Sequence, residues 1–315
     1  MLPRQALTDL KWWRDFSYEH ASNSAPIFPP VTTRTLFADA SGTTGWGAEL
    51  RGPGPPRVAQ GYWTPAQRGM HITFKELVTL RFAFLALAPE LAGQHVLLFE
   101  DNMAVCHIVR AGSTRSPEMM HELRLLWALM DRLHITIHVQ YVRSADNAAD
   151  KWSRMRSRSA WQLDPKVFRR LQRRYGRRFT LDAFACAATA QLPRYCALKA
   201  DPFALSRDAF SLDWSTEDLF LNPPWKELPR VLSKLRRGGG RGVLIVPEWP
   251  SQLWYPTMLQ LAQSIVPLPR PSRCVRLAHD GPVEPFLHAK LKLLAVFFDT
   301  PVHEAPATSM SALVG

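Results

Sequence analysis

Leu36-Phe37-Ala38-Asp39-Ala40-Ser41-Gly42-Thr43-Thr44-Gly45-Trp46-Gly47-Ala48 decides how this chain is read. A short apolar run carries one carboxylate, a Gly-rich turn follows, and Trp46 opens a second extended run, the pattern of a β-hairpin. Asp39 therefore falls inside a strand near a sheet centre. Burying an ionised carboxylate costs several kcal/mol unless something pairs with it, and no cation stands close by in the sequence. A metal ion would neutralise it. Three further acids recur in related contexts: Glu76 in His71-Ile72-Thr73-Phe74-Lys75-Glu76-Leu77, Asp101 after the apolar run Val96 to Phe99, and Asp150 in Asp146-Asn147-Ala148-Ala149-Asp150.

The chain has 315 residues, enough for two domains of ordinary size. Its net charge of +12 argues for a polyanionic partner, nucleic acid before membrane surface. Four cysteines are scattered without a CxxC pair or zinc-type spacing, so neither a disulfide framework nor a zinc site is indicated and a reducing compartment is expected. Arg4 and Asp9 precede no long apolar run, so neither a signal peptide nor a membrane span is expected. An intracellular protein of nucleus or cytoplasm follows. The 11 tryptophans exceed what a disordered chain carries, so both halves are expected to fold.

The expected order begins with a lead-in over residues 1–32, holding a short helix around Leu10-Lys11-Trp12-Trp13. Three strands follow: one from Arg34, one at Trp46 to Leu50 and one near Val58 to Trp63. A helix from Thr73, with Leu77, Leu80, Phe84 and Leu87 on one face, is stopped by Pro89. Then come strand Val96 to Phe99, short helical matter to Arg110, helix Pro117 to Leu133, strand Ile135 to Val142 and a closing helix Asn147 to Met155. The βββαβαβα order predicts an α/β layer with a mixed sheet over 33–155. A basic, Ser-rich linker at 156–160 leads to a second domain over 161–300, and 301–315 read as a flexible tail. In the second domain a very basic helix, Pro165 to Tyr175, precedes the strands Phe179 to Leu181, Leu219 to Leu221, Val243 to Val246 and Leu291 to Phe298. Helices after Trp225 and from Tyr255 to Ala262 alternate with them, as in a doubly wound fold.

Each acid also has a local structural reading. Thr73 and Glu76 form a T-x-x-E capping box, Asp101-Asn102 is a strand-to-helix cap, and Asp150 is a solvated helical acid. Taken together, four carboxylates suit hard cations such as magnesium or manganese, two of which activate water and stabilise a leaving phosphodiester oxygen. Asp-Ala-Ser with Gly-Trp-Gly, then Glu-Leu on a helix, Asp-Asn after a strand and Asn-Ala-Ala-Asp-Lys-Trp-Ser-Arg resemble the ribonuclease H domain of retroelement polyproteins. They are most similar to those of DIRS-type, tyrosine-recombinase retrotransposons. The resemblance covers residues 34–155. It implies that Asp39, Glu76, Asp101 and Asp150 are catalytic metal-binding carboxylates for two Mg2+ or Mn2+ ions, and that the substrate is the RNA strand of an RNA/DNA hybrid. The loop Arg143-Ser144-Ala145-Asp146-Asn147 lacks the His many ribonucleases H carry there. The Trp12-Trp13 lead-in resembles a connection from a reverse transcriptase, which makes an upstream reverse transcriptase domain a candidate partner.

Leu221-Asn222-Pro223-Pro224-Trp225 is the second unusual stretch. Two prolines forbid strand pairing and fix a rigid turn that aims the Asn222 amide and its neighbouring carbonyl, while Trp225 offers a stacking face. A plain Pro turn before a helix is the competing reading. With Trp161-Gln162-Leu163-Asp164-Pro165, Leu181-Asp182-Ala183-Phe184-Ala185, Asp201-Pro202, Asp208-Ala209-Phe210 and Trp214, this turn resembles the phage-type DNA N6-adenine methyltransferase domain of DIRS-type elements. The resemblance implies a Rossmann-like methyltransferase-type domain acting on a flipped-out adenine of DNA. Asn222, Pro223, Pro224 and Trp225 are then the catalytic turn, and Asp182, Phe184 and Ala185 receive S-adenosylmethionine. Ala185-Cys186-Ala187-Ala188 stands where many methyltransferases place glycines, which makes close backbone approach to the cofactor harder. Arg169, Arg170, Arg173, Arg174, Arg177 and Arg178 are spaced to track phosphates, or else form a solvated helix face. A nucleic-acid-binding protein whose sites have decayed is the alternative to an enzyme.

Overall fold

Strand β1 (Arg34–Ala40) and strand β2 (Gly45–Arg51) form the expected hairpin, antiparallel with Ala38 opposite Ala48 and Asp39 opposite Gly47. Its turn is held by Ser41, whose Oγ accepts from the Thr44 and Gly45 amides at 2.9 and 2.8 Å. The computed structural model describes residues 3–19, 31–155, 161–278 and 291–301. The basic linker at 156–160 and nearly all of the tail expected at 301–315 lie outside the described residues. The chain divides into two units, Met1–Thr32 and Thr33–Gly315. In the first, a helix spans Arg4–Glu19 and sets the Trp12 ring edge-on to Trp13 at 4.8 Å.

In the second unit, β3 (Arg57–Tyr62), β4 (His95–Glu100) and β5 (Thr136–Tyr141) complete a five-stranded sheet of order β3-β2-β1-β4-β5. β1, β2 and β3 are antiparallel, whereas β4 and β5 run parallel to β1. This is the ribonuclease H-like mixed sheet. The helix Ile72–Ala86 packs on it with Leu77, Leu80, Phe84 and Leu87 all buried, because their three- and four-residue spacing makes one apolar face. A second helix, Pro117–Arg132, lies beside it and joins it through the half-buried pair Arg81–Glu122 at 2.7 Å. The first helix ends at Ala86; Pro89 stands at the start of a further short helix, Ala88–Leu91, where its missing N–H is harmless. The closing helix is one turn, Asp150–Ser153, shorter than the expected 147–155 because Asn147 is drawn out of it to bond the sheet.

The second sheet has the order β10-β12-β9-β8-β7, formed by β7 (Leu181–Asp182), β8 (Asp218–Leu221), β9 (Gly240–Pro247), β10 (Ala262–Pro267) and β12 (Leu293–Thr300). β7, β8 and β9 are parallel; β12 is antiparallel to β9 and to β10. The basic helix Pro165–Tyr175 covers one face through Phe168 and Leu171, against Phe220, Val243 and Ile245. Helices Leu228–Gly238 and Tyr255–Leu261 cover the other, against Leu221, Leu244 and Val246. Both faces are therefore buried, as a Rossmann-like sheet requires. The strands expected at Phe179 to Leu181 and Leu291 to Phe298 are shifted to Leu181–Asp182 and Leu293–Thr300, and two further features differ from expectation. β6 (Trp161–Leu163) pairs with β11 (Val275–Leu277) as a separate ribbon, and the residues after Leu261 form edge strand β10. β6 and β11 alternate as Trp-Gln-Leu and Val-Arg-Leu but over three residues only, too few to read as strands, while β10 runs Ala-Gln-Ser-Ile-Val-Pro with Ile265 exposed and no apolar alternation.

Candidate active sites

Asp39 from β1, Glu76 from the middle of the Ile72–Ala86 helix and Asp101 just past β4 converge, with ligand oxygens all within 4.8 Å of one another. Asp39 and Glu76 are buried and Asp101 is half-buried. Unscreened charges at this spacing repel by roughly 3 kcal/mol per pair at an effective dielectric constant near 20. Burial, reinforced by the charges of Asp101 and Asp150, pushes the Asp39 carboxyl up to about 6, although the Ser153 hydroxyl works the other way. Glu76 is raised by burial and then by Glu100, Asp39 and Asp101.

Glu100 was not anticipated. It is fully buried at the end of β4, its Oε1 accepts from the Asn102 amide at 3.0 Å, and its carboxyl is held far above the usual range by burial. Glu100 and Asp101 are adjacent acids, and the Asp-Asn motif singled out Asp101 although Glu100 is the residue that follows Phe99 directly. Asp39 Oδ2, Glu76 Oε2 and Glu100 Oε2 are buried with no hydrogen-bond partner. Buried polar atoms are almost always paired, so three orphaned carboxylate oxygens in one place fit a bound cation. The donors are all hard oxygens, a set suited to magnesium or manganese rather than to zinc.

Asp150 is not among the converging three. It is half-exposed, its charge is felt at Asp39, and its Oδ1 pairs with Arg154 at 2.7 Å. The Asn147–Trp152 motif is what brings it there. Asn147 donates to the Ala38 carbonyl at 2.8 Å, and Trp152 Nε1 and Lys151 Nζ meet Glu49 Oε2 at 2.8 and 3.1 Å. Of the capping readings, the Thr73–Glu76 box is corrected, whereas the Asp101-Asn102 cap is found at Asn102. His71 caps the helix that carries Glu76, by accepting from the Thr73 amide, so Glu76 is free of that duty; Asn102, not Asp101, caps Met103–Ala111.

Beyond β8, Asn222, Pro223, Pro224 and Trp225 line a cavity of about 460 Å³ with Phe184, Ala185, Cys186, Thr189 and Trp161. Residues Gln60 to Tyr62 of β3 also line it. Trp225 stands edge-on to Trp249 at 4.9 Å. Asn222 Oδ1 and Trp225 Nε1 are buried and unpartnered. The expected cofactor residues divide: Phe184 and Ala185 line the cavity, whereas Asp182 does not and is buried, with Oδ2 accepting from the Gln191 amide at 2.9 Å. Burial raises the Asp182 carboxyl to about 7. The turn at 185–189 needs no glycine, because none of its residues has a positive φ. Thr189 Oγ1 accepts from the Cys186 amide at 3.0 Å, and Asp201 Oδ2 from the Ala187 amide at 2.8 Å. The adenosyl and sulfonium groups of S-adenosylmethionine fit a cavity with unpaired amide and indole atoms beside aromatic faces.

Arg169, Arg170, Arg173, Arg174, Arg177 and Arg178 are all exposed. Arg177 departs from the phosphate-tracking expectation, since it pairs with Asp218 at 2.9 Å, and Arg174 lies over the Phe297 ring at 5.7 Å. Among the described residues no helix is long and apolar enough to cross a membrane.

A family model described as DNA N-6-adenine-methyltransferase (Dam) matches residues 151–275. The match is confined to that segment, so it is residues 151–275 that are similar to the Dam methyltransferase family. Among solved structures, the chain is similar to the N-terminal RNase H domain of a Mycobacterium tuberculosis protein solved as a fusion with maltose-binding protein. That match has 17% identity and a TM-score of 0.28, and covers 38% of this chain and 88% of that one. RNase H1 from the halophilic archaeon Halobacterium salinarum NRC-1 matches at 15% identity and a TM-score of 0.29, over 38% and 91%. LC11-RNase H1 in complex with RNA/DNA hybrid matches at 12% identity and 0.31, over 38% and 92%. The strand order and pairing described above, rather than these values, define the ribonuclease H-like architecture. No curated protein matches the sequence.

Proposed function

We propose that this chain is a retroelement-type enzyme of two activities. Residues 33–155 cleave the RNA strand of RNA/DNA hybrids with divalent metal, and residues 161–300 methylate adenine-N6 in DNA. The observation that carries the first activity is the convergence of Asp39, Glu76 and Asp101 with orphaned buried oxygens. Asp39, Glu76 and Asp101 would hold the metal, with Glu100 adjoining Glu76 and Asp150, whose charge is felt at Asp39, completing the set. When bound, such ions activate a water and stabilise the leaving oxygen of a phosphodiester. The carboxylates' own part is to stand deprotonated and fixed, which the Ser153 and Asn147 bonds support. The family match and the Asn222–Trp225 turn support the second activity. There Asn222 Oδ1 and the Pro223 carbonyl would orient the target amine and Trp225 would stack on the base; S-adenosylmethionine, when bound, supplies the methyl group. The exposed arginines of Pro165–Tyr175 support a DNA partner.

A labelled RNA/DNA hybrid incubated with Mg2+ tests the first activity. Its RNA strand is cut, it survives intact in a chelator, and Asp39→Asn abolishes cutting. Equal cutting by wild type and Asp39→Asn sinks the assignment. Labelled methyl transfer to adenine-containing DNA tests the second, with loss expected in Asn222→Ala.

A further inference from the structure

The cavity beside Asn222 is not enclosed by the second sheet's own elements. One wall is the stretch Gln60, Gly61 and Tyr62 of β3, the edge strand of the first sheet. Ala59, just before it, meets Ala200 in a parallel bridge, and Ala200 is buried in the first sheet's core. This seat is fixed by contacts at several points. Phe82 packs edge-on against Phe203 at 5.0 Å, Arg207 pairs with Glu90 at 2.9 Å, and Arg68 donates to the Ala278 carbonyl at 3.1 Å.

Around this cavity three buried atoms have no partner: Gln60 Oε1, Asn222 Oδ1 and Trp225 Nε1. Two of them accept and one donates. Leaving such atoms unpaired costs about 1–3 kcal/mol each, so a ligand that pairs them recovers that cost. Adenine carries the matching groups, an exocyclic amine with two N–H donors and ring nitrogens that accept. We infer that Gln60 is a ligand-binding residue of this cavity, accepting a hydrogen bond from the amine of an adenine ring, so that the first sheet completes the second half's site. The inference rests on the methyl-transfer reading above. The adenine belongs either to the adenosyl group of the methyl donor or to the target nucleotide.

Calorimetry on the full chain separates these sources. One arm titrates S-adenosylhomocysteine, which cannot transfer methyl; the other adds an adenine-containing single-stranded oligodeoxynucleotide to protein saturated with it. Gln60→Leu keeps the bulk and removes the acceptor, and it weakens binding about tenfold in one arm, the value of one such hydrogen bond. Weakening toward S-adenosylhomocysteine assigns the amine to the cofactor; weakening toward the oligodeoxynucleotide alone assigns it to the target. The thermal midpoint without ligand reports whether the variant folds, and Gln60→Asn, which withdraws the amide by one methylene, gives the same loss should leucine disturb the strand. Wild-type protein that binds neither probe overturns the methyl-transfer reading and this inference with it. Wild-type binding matched by both variants in both arms overturns this inference alone.

Discussion

Gly47 and Trp152 are packed so closely that a Cβ on Gly47 would fall 2.6 Å from the Trp152 Cβ, and 2.5 Å from the Ser153 nitrogen. Gly47 lies opposite Asp39 across the hairpin, so the missing side chain is what admits the Asp150–Ser153 helix to the carboxylate cluster. Gly47→Ala must push that helix outward. Overpacking of this kind costs roughly 1–3 kcal/mol. A lower thermal midpoint together with reduced hybrid cleavage is expected. Wild-type values for both would mean that the helix shifts without consequence and that its close seat is unimportant.

With no cation present the buried acids either repel one another as anions or take up protons on folding, and both cost stability at neutral pH. Glu100→Gln removes Glu100's share of that cost while its amide oxygen still accepts from the Asn102 amide, which in the wild type bonds Glu100 Oε1 at 3.0 Å. In a chelator the variant is therefore expected to melt above wild type. Mg2+ should raise the wild-type midpoint by more than the variant's, since ligand binding stabilises in proportion to affinity. Scanning calorimetry of both proteins with and without Mg2+ checks this, and a chelator midpoint lowered in Glu100→Gln would contradict this account.

Asp218, at the start of β8, gathers Tyr175 Oη at 2.6 Å and the Nε atoms of Arg177 and Arg241 at 2.9 Å each. Burial by itself would raise its carboxyl, but these three bonds together hold it below its ordinary value of 3.8. A depressed folded-state value stabilises fully above the unfolded value, and that contribution fades as pH falls through the folded one. Asp218→Ala is expected to lose about 2–3 kcal/mol at pH 7, the scale of a charged hydrogen-bond group. Urea unfolding at a series of pH values should show a constant gap down to about pH 5 that narrows below 3.8. A gap that widens on acidification would reverse the sign argued here.

Much of the site was legible because its residues conflict with their local setting. Asp39 is a charge in an apolar strand, and Asn222-Pro223-Pro224-Trp225 is a turn that no strand tolerates; both conflicts can be read without coordinates. Glu100 could not be separated from Asp101 in this way, because which of two adjacent acids faces inward depends on where the strand ends. The apparent capping box at Thr73 was misleading because His71 competes for the same helix end, and only the backbone path decides between them. The glycine-free turn at 185–189 looked unsuited to a cofactor until its φ angles and the Asp201 and Thr189 bonds were in view.

Periodicity and composition by themselves determined the strand and helix order of the first sheet and the basic face of Pro165–Tyr175, since these depend on residues near one another in the chain; of the four acids singled out, Asp39, Glu76 and Asp101 converge. Only the tertiary structure decided that Asp150 is turned toward Arg154 and that Gln60 stands at the wall of the Asn222 cavity. Gln60 and Asn222 are separated by 162 positions (222 − 60) along the chain. Nothing local relates them; the docking of Ala59 on Ala200 and of Phe82 on Phe203 does, because packing joins surfaces without regard to their distance in sequence.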